Sequence, residues 1–193
     1  QGVSFLVPGI VGMTAMFGSI NETMSIVWDK SLGVFDRILA APVSSTSIII
    51  GKTMAGAVMG VISASVLLII GSLVFSVQFV NVPAVLLIVL LASFSFTGIG
   101  TIISGLASGP REAMMLSNLM RFPMMFLGGV FIDISAFPPV LQYLCRLLPL
   151  TYATEALRAT SMLTVFLDAG VLLLYTVATI IVGTVFLMRV LTR

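Results

Sequence analysis

The sequence predicts an all-α fold, a polytopic bundle of membrane-spanning helices, and three observations carry that prediction. Hydrophobic residues fill 59% of the 193 positions and charged ones 8%, against roughly a quarter charged in an ordinary soluble domain. Several uncharged apolar runs reach the roughly 20 residues needed to cross a hydrocarbon core about 30 Å thick. Those runs are continuously apolar instead of alternating, which disfavours a transmembrane barrel and leaves helices as the structure that satisfies its own backbone in lipid.

Five spans are read in order. The first covers about 5–27, interrupted near its end by Asn21 and Glu22 and closed by Trp28, Asp29 and Lys30 at an interface. The second, about 47–75, follows the Ser44-Ser45-Thr46-Ser47 cluster, a natural N-cap, and carries Lys52 close enough to its start to snorkel. After a polar break at 78–81, Pro83 opens the third, about 83–106, in the helical turn where its missing N–H costs nothing. Ser108-Gly109-Pro110-Arg111-Glu112 separates it from a fourth, about 113–132, with Arg121 and Pro123 inside, and the fifth covers about 169–188. One transmembrane domain, 1–193, holds all five.

Lysine and arginine set the orientation. With the loop after the first span in the cytoplasm, the inside holds Lys30, Arg37, Lys52, Arg111, Arg189 and Arg193, and the outside only Arg146 and Arg158. Gln1 is then outside and Arg193 cytoplasmic. Because the chain starts almost on an apolar run, without a basic leader or cleavage site, it reads as the remainder of a longer, N-terminally truncated protein.

The stretch between Asp133 and Asp168 is too polar for a span and too apolar for a free loop. Pro138-Pro139 is expected to start a short helix that Pro149 stops, and Thr151 to cap a second running through Arg158. These outer helices, about 136–160, contain Tyr152 and Glu155 as well, and form a re-entrant or outer-face hairpin.

Formal charge is +2, histidine is absent and Cys145 is the only cysteine. Nucleic acid is therefore not an expected partner, and no catalytic, cofactor-binding or metal site is expected. Gly51-Lys52-Thr53 imitates the end of a phosphate loop, but Thr46 stands where glycine is required, and Ile48, Ile49 and Ile50 cannot wrap a phosphate. Energy must come from another subunit or from a gradient.

From Trp28 to Pro42, apolar Trp28, Leu32, Phe35, Ile38 and Leu39 recur at helical spacing while Asp29, Gly33, Asp36, Arg37 and Ala40 face the other way. Such an amphipathic helix either rests among lipid headgroups or serves as a lever for a cytoplasmic partner. Gly56 and Gly60, four apart, invite close approach of another helix. Gly98, Gly100, Gly105, Gly128 and Gly129 suit packing or flexing equally. Glu22 and Arg121 are ionisable groups inside apolar runs, so they are expected to pair, to face an aqueous cavity, or to snorkel to the interface.

Val7-Pro8-Gly9, Ile26-Val27-Trp28-Asp29-Lys30, Gly33, Ile38-Leu39-Ala40-Ala41-Pro42-Val43-Ser44 and Gly51-Lys52 resemble the permease subunits of type 2 ABC exporters, in the subgroup of drug-resistance and lipo-oligosaccharide export permeases. Phe96-Thr97-Gly98, Asn118, Pro123, Pro138-Pro139, Leu148-Pro149-Leu150-Thr151-Tyr152 and Ala156-Leu157-Arg158 continue the likeness in order. The resemblance implies a six-span subunit of a bacterial or archaeal plasma membrane, paired with a second permease copy as homodimer or heterodimer and driven by a cytoplasmic ABC ATPase subunit. It places the coupling helix on 28–42, and short outer helices between the last two spans. It implies export of an amphipathic or lipid-like substrate or drug by alternating access, without an ATPase site in this chain. Two rivals remain: a gradient-driven secondary transporter, favoured only by Arg121 beside Pro123, and a non-transporting membrane scaffold.

Overall fold

A chain this apolar satisfies its backbone by forming helices, and the computed structural model consists of them throughout the residues it describes, 2–34, 45–75 and 81–191. They are α1 (Gly2–Thr23), α2 (Ser25–Ser31), α3 (Ser45–Phe75), α4 (Val82–Leu106), α5 (Pro110–Leu127), a 3₁₀ turn (Ile134–Ala136), α6 (Pro139–Arg146), α7 (Pro149–Arg158) and α8 (Met162–Leu191). Among the described residues there is no strand.

Four helical stretches are long and apolar enough to cross a membrane: Ser4–Ser31, Ser47–Phe75, Val82–Leu106 and Met162–Leu187. The first joins α1 and α2, which are offset only at Met24, where Val27 and Trp28 still donate to its carbonyl at 3.0 and 3.4 Å. The fourth run, read as 113–132, instead forms the helix Pro110–Leu127. It starts earlier because Pro110 suits the first turn and the Glu112 carboxylate accepts the Ser108 N–H at 2.8 Å. It stops at Gly128 and Gly129, the latter at φ +72°. With Arg111, Glu112 and Arg121 in so short a helix, α5 does not reach the apolarity of the other four stretches.

The last helix also begins earlier than the expected 169. Thr164 bonds back to the Ser161 carbonyl at 2.7 Å, and buried Val165, Ala169 and Leu172 make one continuous stripe past Asp168. One half-buried carboxyl at the edge of that stripe does not end a helix.

Helix α4 occupies the centre, packed against α8, α1, α3 and α7. In lipid, packing and not hydrophobic exclusion holds helices together, and small residues let backbones approach. Helix α4 is built for that, with Ser93, Ser95, Thr97, Gly98, Gly100, Thr101, Ser104 and Gly105 all buried. A Cβ on Gly98 would overlap Thr179, and one on Gly105 would lie 3.1 Å from the Leu187 nitrogen, so α4 and α8 touch almost backbone to backbone. The seam is also hydrogen-bonded: the Ser95 and Thr176 hydroxyls lie 2.8 Å apart, and Thr176 reaches the Leu91 carbonyl at 3.1 Å. On the far side of the bundle, α3 turns Ile62, Val66, Ile69 and Leu73 outward, as lipid contact demands.

Candidate functional site

At the end of the bundle where α2 meets the start of α3, a polar link joins two elements that the sequence had kept apart. Asp29 lies in the last turn of α2, and its Oδ2 is 2.6 Å from the Lys52 ammonium on α3. Lys52 also donates to the Ser25 hydroxyl at 3.0 Å. It is therefore clamped to α2. Both side chains are about three-quarters covered, which strengthens the pair relative to one at an open surface.

The coupling helix expected over 28–42 is corrected at its start. Trp28, Asp29 and Lys30 are the final turn of α2, not the first turn of a separate helix. Leu32 and Gly33 then close that turn onto the Trp28 and Lys30 carbonyls, and Gly33 takes φ +67°, a left-handed conformation that ends helices and suits glycine. Periodicity alone could not register this break, since one left-handed residue alters direction without altering the apolar spacing. Phe35, Asp36, Arg37, Ile38 and Pro42 lie outside the described residues, as does Ser44 of the expected cap.

Glu22 and Arg121 form no ion pair; among the described residues the pair Asp29–Lys52 is the one present. The reason is angular. Phe17, Asn21, Met24 and Trp28 make the stripe of α1 and α2 that faces Arg121, and Glu22, one residue on from Asn21, is rotated about 100° away from it. The Arg121 guanidinium stacks on the Phe17 ring, 5.1 Å from its centroid. It also lines a cavity of about 200 Å³ with Asn21, Met24, Trp28, Met114, Ser117 and Asn118. Its Nε and Nη2 have no hydrogen-bond partner although the residue is 6% exposed. A buried charge costs several kcal/mol unless it is paired or hydrogen-bonded.

Gly56 and Gly60 sit where α3 crosses α1 and α4. A Cβ on Gly56 would come within 2.7 Å of the Thr23 hydroxyl, and one on Gly60 would overlap the Ser19 hydroxyl and lie 2.8 Å from that of Ser93. Both serine hydroxyls are buried without partners.

At the opposite end, Pro138 precedes α6 and Pro139 and Pro149 open α6 and α7. Thr151 does not cap α7. Leu148 holds that position, because Pro149 already supplies the first turn, and the Thr151 hydroxyl turns back to the Cys145 carbonyl at 2.5 Å. Tyr152 donates to the Arg146 carbonyl at 2.7 Å, which ties α7 to α6. Arg158 donates to three carbonyls, those of Phe5, Gly129 and Val130, at 3.0, 2.6 and 3.0 Å. Burial pulls its guanidinium down to about 10, while the Asp133 and Glu155 carboxylates act in the other direction. Asp133, Glu155, Arg158, Ser161, Thr164 and Asp168 line an open cleft of about 420 Å³. Burial raises Glu155, whereas hydrogen bonds from Ser135 lower Asp133.

Sequence reading missed Ser25 as a partner of Lys52, Phe17 and Phe5 as stacking partners of the two arginines, and the Ser95–Thr176–Thr179 seam. Only the seam left a signal, the crowding of Ser, Thr and Gly between Ala92 and Gly105.

Apolar spans around a small-residue core, a charged clamp at one end and short proline-started helices at the other define a multi-pass membrane protein. The profile of the ABC-2 type transporter matches residues 1–162, and the chain belongs to that family. It is 24% identical over 158 residues to Nodulation protein J of Sinorhizobium fredii, covering 81% of this chain and 60% of that protein. It is 29% identical over 158 residues to the putative transport permease ycf38 of Porphyra purpurea, covering 80% and 54%. With the probable multidrug ABC transporter permease YbhR of Escherichia coli it shares 25% over 153 residues, covering 78% and 42%. The chain thus spans roughly half the length of these relatives. No solved structure matches it significantly.

Proposed function

We propose that the chain is the membrane-spanning part of an ATP-driven exporter, which moves an amphipathic or lipid-like substrate or drug by alternating access. A separate cytoplasmic ATPase subunit docks on the segment 28–42, with Gly33, Asp36, Arg37 and Pro42 at the contact. The subunit works with a second permease copy in the plasma membrane of a bacterium or archaeon, with the Gln1 side outside. Family membership supports this reading, as does the likeness to a probable multidrug ABC transporter permease.

The observation that carries it is the Asp29–Lys52 clamp. Force applied beyond Gly33 reaches α2 directly and α3 through that ion pair, so both helices shift as one unit. Helix α5 adds a second support. It carries Arg111, Glu112, Asn118 and Arg121 yet exposes Met115, Leu119, Phe122 and Phe126, a mixture better suited to a partner copy or a translocation path than to bare lipid.

The test is ATP-dependent export in vesicles containing the full-length permease and its ATPase. Bulky or charge-reversed substitutions at Gly33, Asp36, Arg37 or Pro42 are expected to abolish export while membrane insertion is retained. Unchanged export together with unchanged co-purification of the ATPase would refute the docking role.

A further inference from the structure

We propose that the cavity beside Arg121 binds the anionic headgroup, a phosphate or carboxylate, of an amphiphile that arrives through the lipid. The identification of that amphiphile as cargo rests on the export reading above; the binding site itself does not.

Arg121 is 6% exposed, and its Nε and Nη2 lack acceptors. The Phe17 face, 5.1 Å away, answers the charge but not the in-plane N–H donors. Buried donors are ordinarily satisfied, and a native group left without a partner points to an acceptor the protein does not itself supply. The cavity supplies the space for one. Its lining of Asn21, Met24, Trp28, Met114, Ser117, Asn118 and Arg121 contains no carboxylate, so the positive charge has no counter-ion there.

A guanidinium fork matches the paired oxygens of a phosphate or carboxylate. The amides of Asn21 and Asn118 can donate to the remaining oxygens, and Met24, Met114 and Trp28 offer apolar surface to the first carbons of a tail. A space of about 200 Å³ holds a headgroup and not a whole lipid. A cationic head would be repelled by Arg121. A choline head, which adds a quaternary ammonium to the same phosphate, brings that repulsion into the site.

Trp28, the one tryptophan of the chain, borders the cavity and reports on it. The full-length permease in uncharged detergent is titrated with a short-chain phosphatidic acid, with the phosphatidylcholine of the same chains, and with inorganic phosphate, with Trp28→Phe as background. A saturable change in emission is expected with phosphatidic acid at a concentration at least ten times lower than with either other probe. Arg121→Gln is expected to remove that difference, and Arg121→Lys to keep part of it. Equal response to both lipids overturns the proposal in the unmodified protein, whatever the variants do. Inorganic phosphate acting as strongly as phosphatidic acid overturns the amphiphile in favour of a free oxyanion. Headgroup selectivity without ATP-driven export would sink the export reading and leave the site standing, and export without selectivity would do the reverse.

Discussion

The Arg158 guanidinium lies 3.6 Å above the ring of Phe5 while its Nε donates to the carbonyl of the same residue, across 153 positions of sequence. Through Gly129 and Val130 the same side chain also holds the chain just beyond α5. One residue of α7 thus fastens the start of α1 to the end of α5. Arg158→Ala is expected to destabilise the fold by about 2 kcal/mol, seen as a fall of about 4–8 °C in the unfolding midpoint in detergent. Arg158→Lys should recover only part, since one ammonium cannot reach three carbonyls set apart by the guanidinium fork. A lysine variant as stable as the parent would contradict this role.

The Asp29–Lys52 pair predicts coupling that charge reversal can restore. Asp29→Lys and Lys52→Asp should each impair export, and the double reversal should regain much of it, with an interaction term of about 0.5–3 kcal/mol in stability. Additive losses would mean that the two residues act separately.

Gly60 and Gly51 share a helix but not an environment. Gly60→Ala meets the hydroxyls of Ser19 and Ser93, whereas nothing lies within 4 Å of a Cβ on Gly51. The first change should cost about 1–3 kcal/mol, and the second should stabilise by up to about 1 kcal/mol through helix propensity. Because the Ser19 hydroxyl has no partner to lose, Ser19→Ala should relieve the Gly60→Ala defect. Thermal unfolding of the three variants and the double variant measures both claims.

Asp133 caps the 3₁₀ turn, accepting the Ser135 N–H at 2.9 Å and its hydroxyl at 2.7 Å, and these bonds hold its carboxyl below the usual 3.8. A carboxyl depressed by folding contributes stability that is present above its unfolded pKa and lost as pH falls through the folded one. Asp133→Ala should therefore cost about 1 kcal/mol near neutrality. The difference from the parent should shrink as the medium is acidified below pH 3.8. A difference that is the same at both ends of a pH 2–7 series, taken on the order of the carboxylate range, would rule out the charged cap.

Helix existence was legible because a bilayer imposes it locally: each apolar run must close its own hydrogen bonds over a fixed thickness, so α3 and α4 start within two residues of where composition alone put them. Helix ends were less legible. Met162, Pro110 and the break at Gly33 depend on single side chains, backbone angles and stripe continuity, which an apolar average smooths away. The glycine faces at Gly56 and Gly60 could be named from spacing, whereas their partners Ser19, Ser93 and Thr23 could not.

Residue chemistry along the chain accounts for a helical membrane bundle, for the polar segment with its short helices and for the charges that lipid would penalise. Which of those charges meet was settled by how the helices rotate against one another: Lys52 faces Asp29, Arg158 faces Phe5, and Arg121 faces Phe17 and a cavity instead of Glu22. The physical reason is that hydropathy is a property of one segment, whereas a contact between segments depends on azimuth and crossing point, set jointly by every small residue on both faces.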